Sequence, residues 1–349
     1  MKIRNEDTIQ PGSTSREGHG VTRARTREGF ELPVIDVTHP RFAVADDPAA
    51  LRTLHDAFAQ SERRQRRMPK LIMRMILKSA ARKSRLARAM FNSDKDFLDG
   101  MSTYVMKLGV DNLVPPYDTP MDRRFAAAPH MALVRLRMQQ IARLIAEGIA
   151  DDLTAAAAGA PLSLINIGGG PALDSINALI LLRRARPDLL NRPIGIEVLD
   201  ASRDGAFFGA NALAALQAHG GPLEGVNIVM RHHDYDWDQP SLLETLVANL
   251  ASAGATMAAS SEGALFEYGS DQAIVGNLQA LVVCRPGVRL VAGSVTCADE
   301  TRRRMIAQTR FKLVPRGIAG FAPLAEQAGF RIAKVEPALL SDQVLLRLR

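Results

Sequence analysis

From Pro161 to the C-terminus, short apolar runs alternate with helical stretches, and no other feature narrows the fold so far. The runs span residues 162–167, 193–200, 226–230, 255–260 and 288–293, with helices predicted over about 172–186, 206–218, 241–250 and 272–282. Strands covered on both faces read as continuous apolar segments, and their alternation with helices predicts a parallel sheet between two helical layers. A helix over 322–328 and strands over 330–335 and 343–348 complete the chain. Only residues 337–342 separate the last two strands. A parallel crossover needs a dozen residues or more, so these two must form an antiparallel hairpin. The predicted class is α/β, a doubly wound, mostly parallel sheet with a C-terminal antiparallel strand.

The first half has a different grammar. Residues 1–45 are rich in Gly, Ser, Thr, Arg and Pro without a sustained apolar period, and are expected to form a poorly ordered arm in which residues 32–37 are an apolar patch able to dock. From Asp47 to about Asp152 the spacing is helical, with Asp47 as an N-cap and Pro48 at the first helical position. Residues 131–149 form the last of these helices. The expected division is therefore an arm over 1–45, a helical cap over 46–156 and a sheet domain over 157–349.

The chemistry concentrates at the ends of the predicted strands. Gly168-Gly169-Gly170 lies between the first strand and its helix, where glycines let a ligand approach the backbone. Asp200 ends the second strand and can accept hydrogen bonds from both hydroxyls of a ribose. Asp234 follows the third strand, beside Tyr235, an acceptor next to a flat ring of the kind that suits adenine. A dinucleotide fingerprint would need a third glycine where Leu173 stands, and no Gly-Lys-Ser/Thr follows the glycines as a phosphate loop requires.

These residues resemble the class I S-adenosylmethionine-dependent methyltransferases: Ile165-Asn166-Ile167-Gly168-Gly169-Gly170-Pro171, the strand-end Asp200, Asp234-Tyr235 and the strand over 255–260, with the strand-turn-strand ending over 328–348. The resemblance covers roughly residues 157–349 and implies a Rossmann-like fold preceded by a helical cap, as in members that act on small molecules. It implies S-adenosylmethionine as cofactor, with Gly168, Gly169 and Gly170 under its methionine part, Asp200 at the ribose, Asp234 and Tyr235 at the adenine, and Ser260 at the next strand tip. The family often carries an acid two residues before the first glycine; here that position is Asn166, so other groups must hold the cofactor's ammonium. Glu262, Glu267 and Tyr268 follow the fourth strand and are candidates for the substrate region, Glu262 as a base. His233, with its neighbour His232, and Tyr117, between the prolines of the cap, are further candidates for proton transfer.

The expected reaction is methyl transfer to an oxygen, nitrogen or sulfur of a small acceptor, an anionic one suiting the arginines, in secondary metabolism. The rival reading starts from charge. Residues 1–160 carry 26 Lys and Arg against 19 Asp and Glu, whereas the remainder is balanced, and Glu62 is the only acid in the arginine-rich segment 61–90. Such a segment could serve an RNA- or membrane-associated binding protein, or an RNA methyltransferase. It has no aromatic residue before Phe91 to stack on bases, and nucleic acid is not an expected partner. No apolar run approaches the roughly 20 residues of a membrane span. Two cysteines, Cys284 and Cys297, fit a reducing cytoplasm. No His, Asp and Glu have metal-ligand spacing. The assembly state is open, with a homodimer as the candidate.

Overall fold

The computed structural model describes residues 20–67, 75, 79–91, 99–284, 287–307 and 311–349. A hairpin of β1 (Arg23–Arg25) and β2 (Glu31–Pro33) precedes, among the described residues, the helices α1 (Pro48–Arg66), α2 (Arg85–Phe91), α3 (Gly100–Lys107), α4 (Pro120–Ala126) and α5 (Pro129–Ala155). Alternation then begins: β3 (Leu162–Ile167), α6 (Leu173–Ala185), β4 (Ile194–Leu199), α7 (Arg203–Gln217), β5 (Ile228–His233), α8 (Ser241–Ser252) and β6 (Thr256–Ser261). It continues through α9 (Leu265–Tyr268), α10 (Asp271–Ala280), β7 (Leu290–Thr296), α11 (Glu300–Ala307), α12 (Gly317–Gln327), β8 (Phe330–Glu336) and β9 (Ser341–Leu348).

Seven strands form one sheet in the order β5-β4-β3-β6-β7-β9-β8. The first five are parallel, and β9 runs antiparallel to both β7 and β8. This is the expected doubly wound, Rossmann-like sheet with its C-terminal antiparallel pair. The reversal of strand order between β3 and β6 opens a crevice at their carboxyl ends, the place where such sheets hold ligands.

Period-2 geometry sorts the central strand between two cores. Leu162 and Leu164 pack on one face of the sheet, Ile165 and Ile167 on the other. The long α5 covers the first face. A Cβ on Gly148 would lie 2.9 Å from a Leu290 methyl, so glycine is what lets this helix rest on β7, and Arg347 fixes it from β9 through Asp152 at 2.6 Å. Thus α5 belongs to the sheet's own packing layer as well as to the cap, and one hydrophobic cluster runs from the hairpin through the cap helices to β3. Elements run longer than their apolar signal in places: α5 starts two residues earlier and ends six later than 131–149, and β5 extends to His233.

The arm expected over 1–45 needs correction where it is described. Leu32, Val34, Ile35 and Phe42 are buried. Asn177 of α6 accepts from the Val37 N–H at 2.8 Å and donates to the Ile35 carbonyl at 3.0 Å, while Asn211 of α7 donates to the Arg25 carbonyl. Side-chain amides satisfy the backbone here, so a segment without periodicity is still ordered. Residues 1–19 lie outside the described set. Asp47 caps α1 as expected, its Oδ1 accepting from the N–H groups of Ala49 and Ala50.

Candidate active site

A cavity of about 540 Å³ lies at the carboxyl ends of β3, β4, β5 and β6, roofed by α3. Its floor is the glycine turn. Gly168 and Gly170 have φ of +68° and +56°, in the left-handed region that only glycine occupies without strain. A Cβ on Gly168 would fall 2.7 Å from that of Ala264 and 3.1 Å from the Trp237 ring. The turn is also clamped from two sides. A Cβ on Gly100 would sit 2.8 Å from the Gly170 Cα, and one on Gly205 2.6 Å from its carbonyl carbon. The first turns of α3 and α7 therefore lie directly against the loop.

Asp200 follows β4 and is built into this floor. Its Oδ2 accepts from the Gly170 N–H at 3.0 Å and its Oδ1 from the Ser202 N–H at 2.8 Å. Asp234 lines the cavity as an exposed carboxylate. Tyr235 also lines it, but its ring belongs to the core beneath and its hydroxyl donates to Asn277 at 2.6 Å. Trp237, whose carbonyl is held by Asn277, is the aromatic beside Gly168.

The inner wall is an ion network joining the cap to the sheet. Glu262 accepts from Lys107 of α3 on one oxygen and from the Arg137 Nε of α5 on the other, the latter at 2.5 Å. Arg137 also donates to both oxygens of Glu267, at 3.1 and 3.3 Å. Burial raises the Glu262 carboxyl, but Arg137 and Lys107 outweigh it and hold it below its ordinary range. Tyr268 lines the cavity, and burial, reinforced by Glu267, raises its hydroxyl, which stays protonated at neutral pH.

Behind the turn, Asn166 donates to Asp174 at 2.8 Å and to Ser260 at 3.1 Å. Burial, followed by the charge of Glu262, pushes the Asp174 carboxyl up to about 6. The position where the family often carries an acid thus holds an amide that supports an acid eight residues on.

The structure gathers Gly168, Gly169, Asp200, Asp234, Tyr235, Glu262 and Tyr268 around one cavity. Several other candidates lie elsewhere. Tyr117 is not on the wall; it packs against Phe30, and Arg85 lies over its ring at 5.8 Å. His233 pairs with Glu197 at 2.8 Å and His232 with the Asp200 carbonyl, on opposite faces because β5 continues through both. Ser260 is sealed behind the turn and Glu267 behind Arg137. Gly170 carries the turn without lining the cavity. Glu262 is no base, since both its oxygens already face cations. Sequence reasoning missed Lys107, Arg137, Asp174 and Trp237. Trp237 had a signal, as the chain's single tryptophan within an acidic loop.

Part of the basic segment is built into the fold. Ala80, Ala81, Leu86 and Ala87 are buried, and Arg85 pairs with Glu28 at 3.1 Å. Residues 68–74 and 76–78 of that segment lie outside the described set. Among the described residues no helix is long and apolar enough to cross a membrane, and no three His, Cys, Asp or Glu side chains could hold a metal ion.

No protein-family model matches the sequence, and a comparison with curated protein sequences finds no match. Solved structures are similar in fold. A protein from Bordetella parapertussis described as a possible exported protein has a TM-score of 0.52 at 17% identity, over 87% of this chain and 99% of that one. LepI, solved with SAH and a substrate analogue, has a TM-score of 0.42 at 12% identity, over 87% and 95%. An O-methyltransferase family protein from Burkholderia thailandensis has 0.40 at 15% identity, over 66% and 60%. The first of these likenesses extends the shared α/β architecture to nearly the whole of both chains.

Proposed function

We propose that the protein is an S-adenosylmethionine-dependent methyltransferase acting on a small molecule. The observation that carries this reading is the contact of Asp200 with the left-handed glycine turn, at the reversal point of the sheet and on the wall of a cavity large enough for a nucleoside and a small acceptor. The residues fit the cofactor. The turn is a cradle that Cβ atoms would fill, and acceptor-only carboxylates stand at two successive strand tips, matching the hydroxyls of a ribose and the amino group of an adenine. Asp200 would hold the sugar and Asp234 the base, with Trp237 taking the aromatic role expected of Tyr235.

The bound cofactor supplies an activated methyl group on a sulfonium. The chain's task is to orient the acceptor and exclude water, which alone accounts for a large part of such rate enhancements. The roof of Gly100, Thr103, Tyr104 and Lys107 would close over that geometry. Glu262, pinned between two cations, acts as a positioning residue, and Tyr268 offers a hydroxyl proton rather than accepting one. A dinucleotide fits less well, because Leu173 occupies the wall where its fingerprint needs a glycine.

Trp237 makes the test direct. Its fluorescence should change on titration with S-adenosylmethionine, and Asp200→Ala should weaken binding by about 10- to 100-fold, the loss of hydrogen bonds to a charged acceptor. A wild-type protein that binds NADH and not S-adenosylmethionine would overturn the assignment.

A further inference from the structure

A second cavity, of about 330 Å³, shares no lining residue with the first. It lies between α1, the short turn Val110–Asn112 and the junction of α4 with α5. Two guanidiniums line it, Arg41 and Arg135, against one acid of the described residues, Asp111.

Backbone carbonyls aim both guanidiniums. Arg41 donates from Nη2 to the Asp111 carbonyl at 3.0 Å, and its own carbonyl accepts from Asn112 at 3.1 Å. Arg135 donates from Nη1 to the Leu108 carbonyl at 3.1 Å, in the space that a Cβ on Gly109 would fill. A carbonyl orients a guanidinium without cancelling its charge. Neither arginine forms an ion pair with a carboxylate of the described residues. Burial lowers the Arg135 guanidinium from its ordinary range, and the charge of Asp111 does not make up the difference. Two further polar atoms of this lining, Arg135 Nε and Asn112 Oδ1, are buried without a hydrogen-bond partner, which native proteins seldom leave so. The first turn of α5 completes the lining through Ala128, Pro129 and Met131. This helix of 27 residues has no side-chain N-cap, so the positive end of its dipole meets no side-chain acceptor.

We propose that this cavity binds the phosphate group of a small phosphate monoester through Arg41, Arg135 and the N-terminus of α5. Donors from three separate elements suit a tetrahedral oxyanion better than a planar carboxylate, whose two oxygens a single guanidinium fork already matches. Leu54, Ala57 and Met131 offer apolar surface to the organic part of an ester. The site does not depend on the methyltransferase reading.

The test is isothermal titration calorimetry of the full chain at fixed ionic strength, with phenyl phosphate, inorganic phosphate and benzoate as probes. Phenyl phosphate should bind saturably, several-fold more tightly than inorganic phosphate and at least about tenfold more tightly than benzoate. Inorganic phosphate binding as tightly as the ester would keep the oxyanion site and assign it to the free ion. Arg41 is exposed, so Arg41→Gln spares the fold; it should weaken phenyl phosphate by about 10- to 100-fold, the loss of a charged hydrogen bond. Arg135→Lys keeps the charge but loses the fork, and should weaken it by about tenfold. Asp111→Asn should tighten it by about two- to fivefold, a gain that damage to the fold would not produce. Arg41→Gln should leave S-adenosylmethionine binding, and Asp200→Ala phenyl phosphate binding, within about twofold of wild type. The proposal is overturned if neither phosphate compound binds saturably, if benzoate binds as tightly as phenyl phosphate, or if both arginine variants bind undiminished. Loss of phosphate binding in Asp200→Ala but not in Arg41→Gln would overturn it too, by placing the anion in the first cavity. Phosphate binding through Arg41 in a protein that does not bind S-adenosylmethionine would leave this site standing and remove the methyltransferase reading.

Discussion

Replacing Asp174 by asparagine should stabilise this protein, and only above the pH at which the native carboxyl ionises. Asp174 sits in the first turn of α6 beneath the glycine turn. Its Oδ1 accepts from the Asn166 side chain and from the Ser175 N–H, both at 2.8 Å, whereas its Oδ2 is buried without a partner. Burial first, and the charge of Glu262 second, raise the carboxyl from its ordinary 3.8 to about 6; Ser260, the Ser175 N–H and Lys107 pull the other way and lose. The folded state therefore holds this proton more tightly than the unfolded state does. The benefit is complete below pH 3.8 and is lost as the pH rises through 6. Above that point the ionised group costs about 3 kcal/mol, at about 1.4 kcal/mol per pH unit of displacement. Asparagine keeps the Oδ1 acceptor and nearly the same volume, and never ionises. It forgoes a favourable carboxylate near a helix N-terminus, worth about 0.3–1 kcal/mol, so the net gain at neutral pH should be about 2 kcal/mol. Urea denaturation of both proteins across this pH range checks it. The difference should be close to zero or slightly negative at the acid end, grow through the transition and level off above it. A difference that does not vary with pH, or a variant less stable at neutral pH, would refute the reasoning.

Glu262→Gln should destabilise the fold by about 3–5 kcal/mol in the same assay, because its 5% exposed carboxylate is the partner of Lys107 and one of two partners of Arg137; an unchanged denaturation midpoint would show the network to be dispensable. Gly170→Ala should cost at least about 1–2 kcal/mol, since φ is +56° and the added methyl would meet the Gly100 Cα at 2.9 Å, and calorimetry should find a lower melting temperature. Tyr117→Phe and His233→Ala should leave S-adenosylmethionine binding within about twofold of wild type, as neither side chain reaches the cavity; a loss beyond about tenfold would place them in the site after all.

How much of this could be read in advance depended on whether the cause was local. β3 and β4 were legible because a strand buried on both faces must be apolar throughout, and the C-terminal hairpin because six residues cannot cross a sheet. Asp200 was legible from its position at a strand end, which dictates where its carboxylate stands. The failures share an opposite origin. Lys107 and Arg137 meet Glu262 across 155 and 125 residues of chain, and no periodicity encodes such a meeting. Arg137 lies between the buried Leu136 and Met138, a charged residue in an apolar setting, but its partner could not be named from that alone. Tyr235 and Trp237 both line the cavity, and it is the Trp237 ring that lies against Gly168 while the Tyr235 hydroxyl is held by Asn277. Asn177 and Asn211 ordered the N-terminal segment by hydrogen bonds that composition does not reveal.

The helix α5 carries a last implication, for where this molecule can be cut. It lies on β7 and β9 through Gly148 and Asp152, and it supplies the guanidinium that answers both Glu262 and Glu267. Severing the polypeptide at residue 157 would uncover β6, β7 and β9 on one side of the pleated layer and strand two carboxylates in a greasy interior. The sheet half is thus no freestanding module; evolution or engineering that swaps the front of this protein must bring along a substitute for that one long rod.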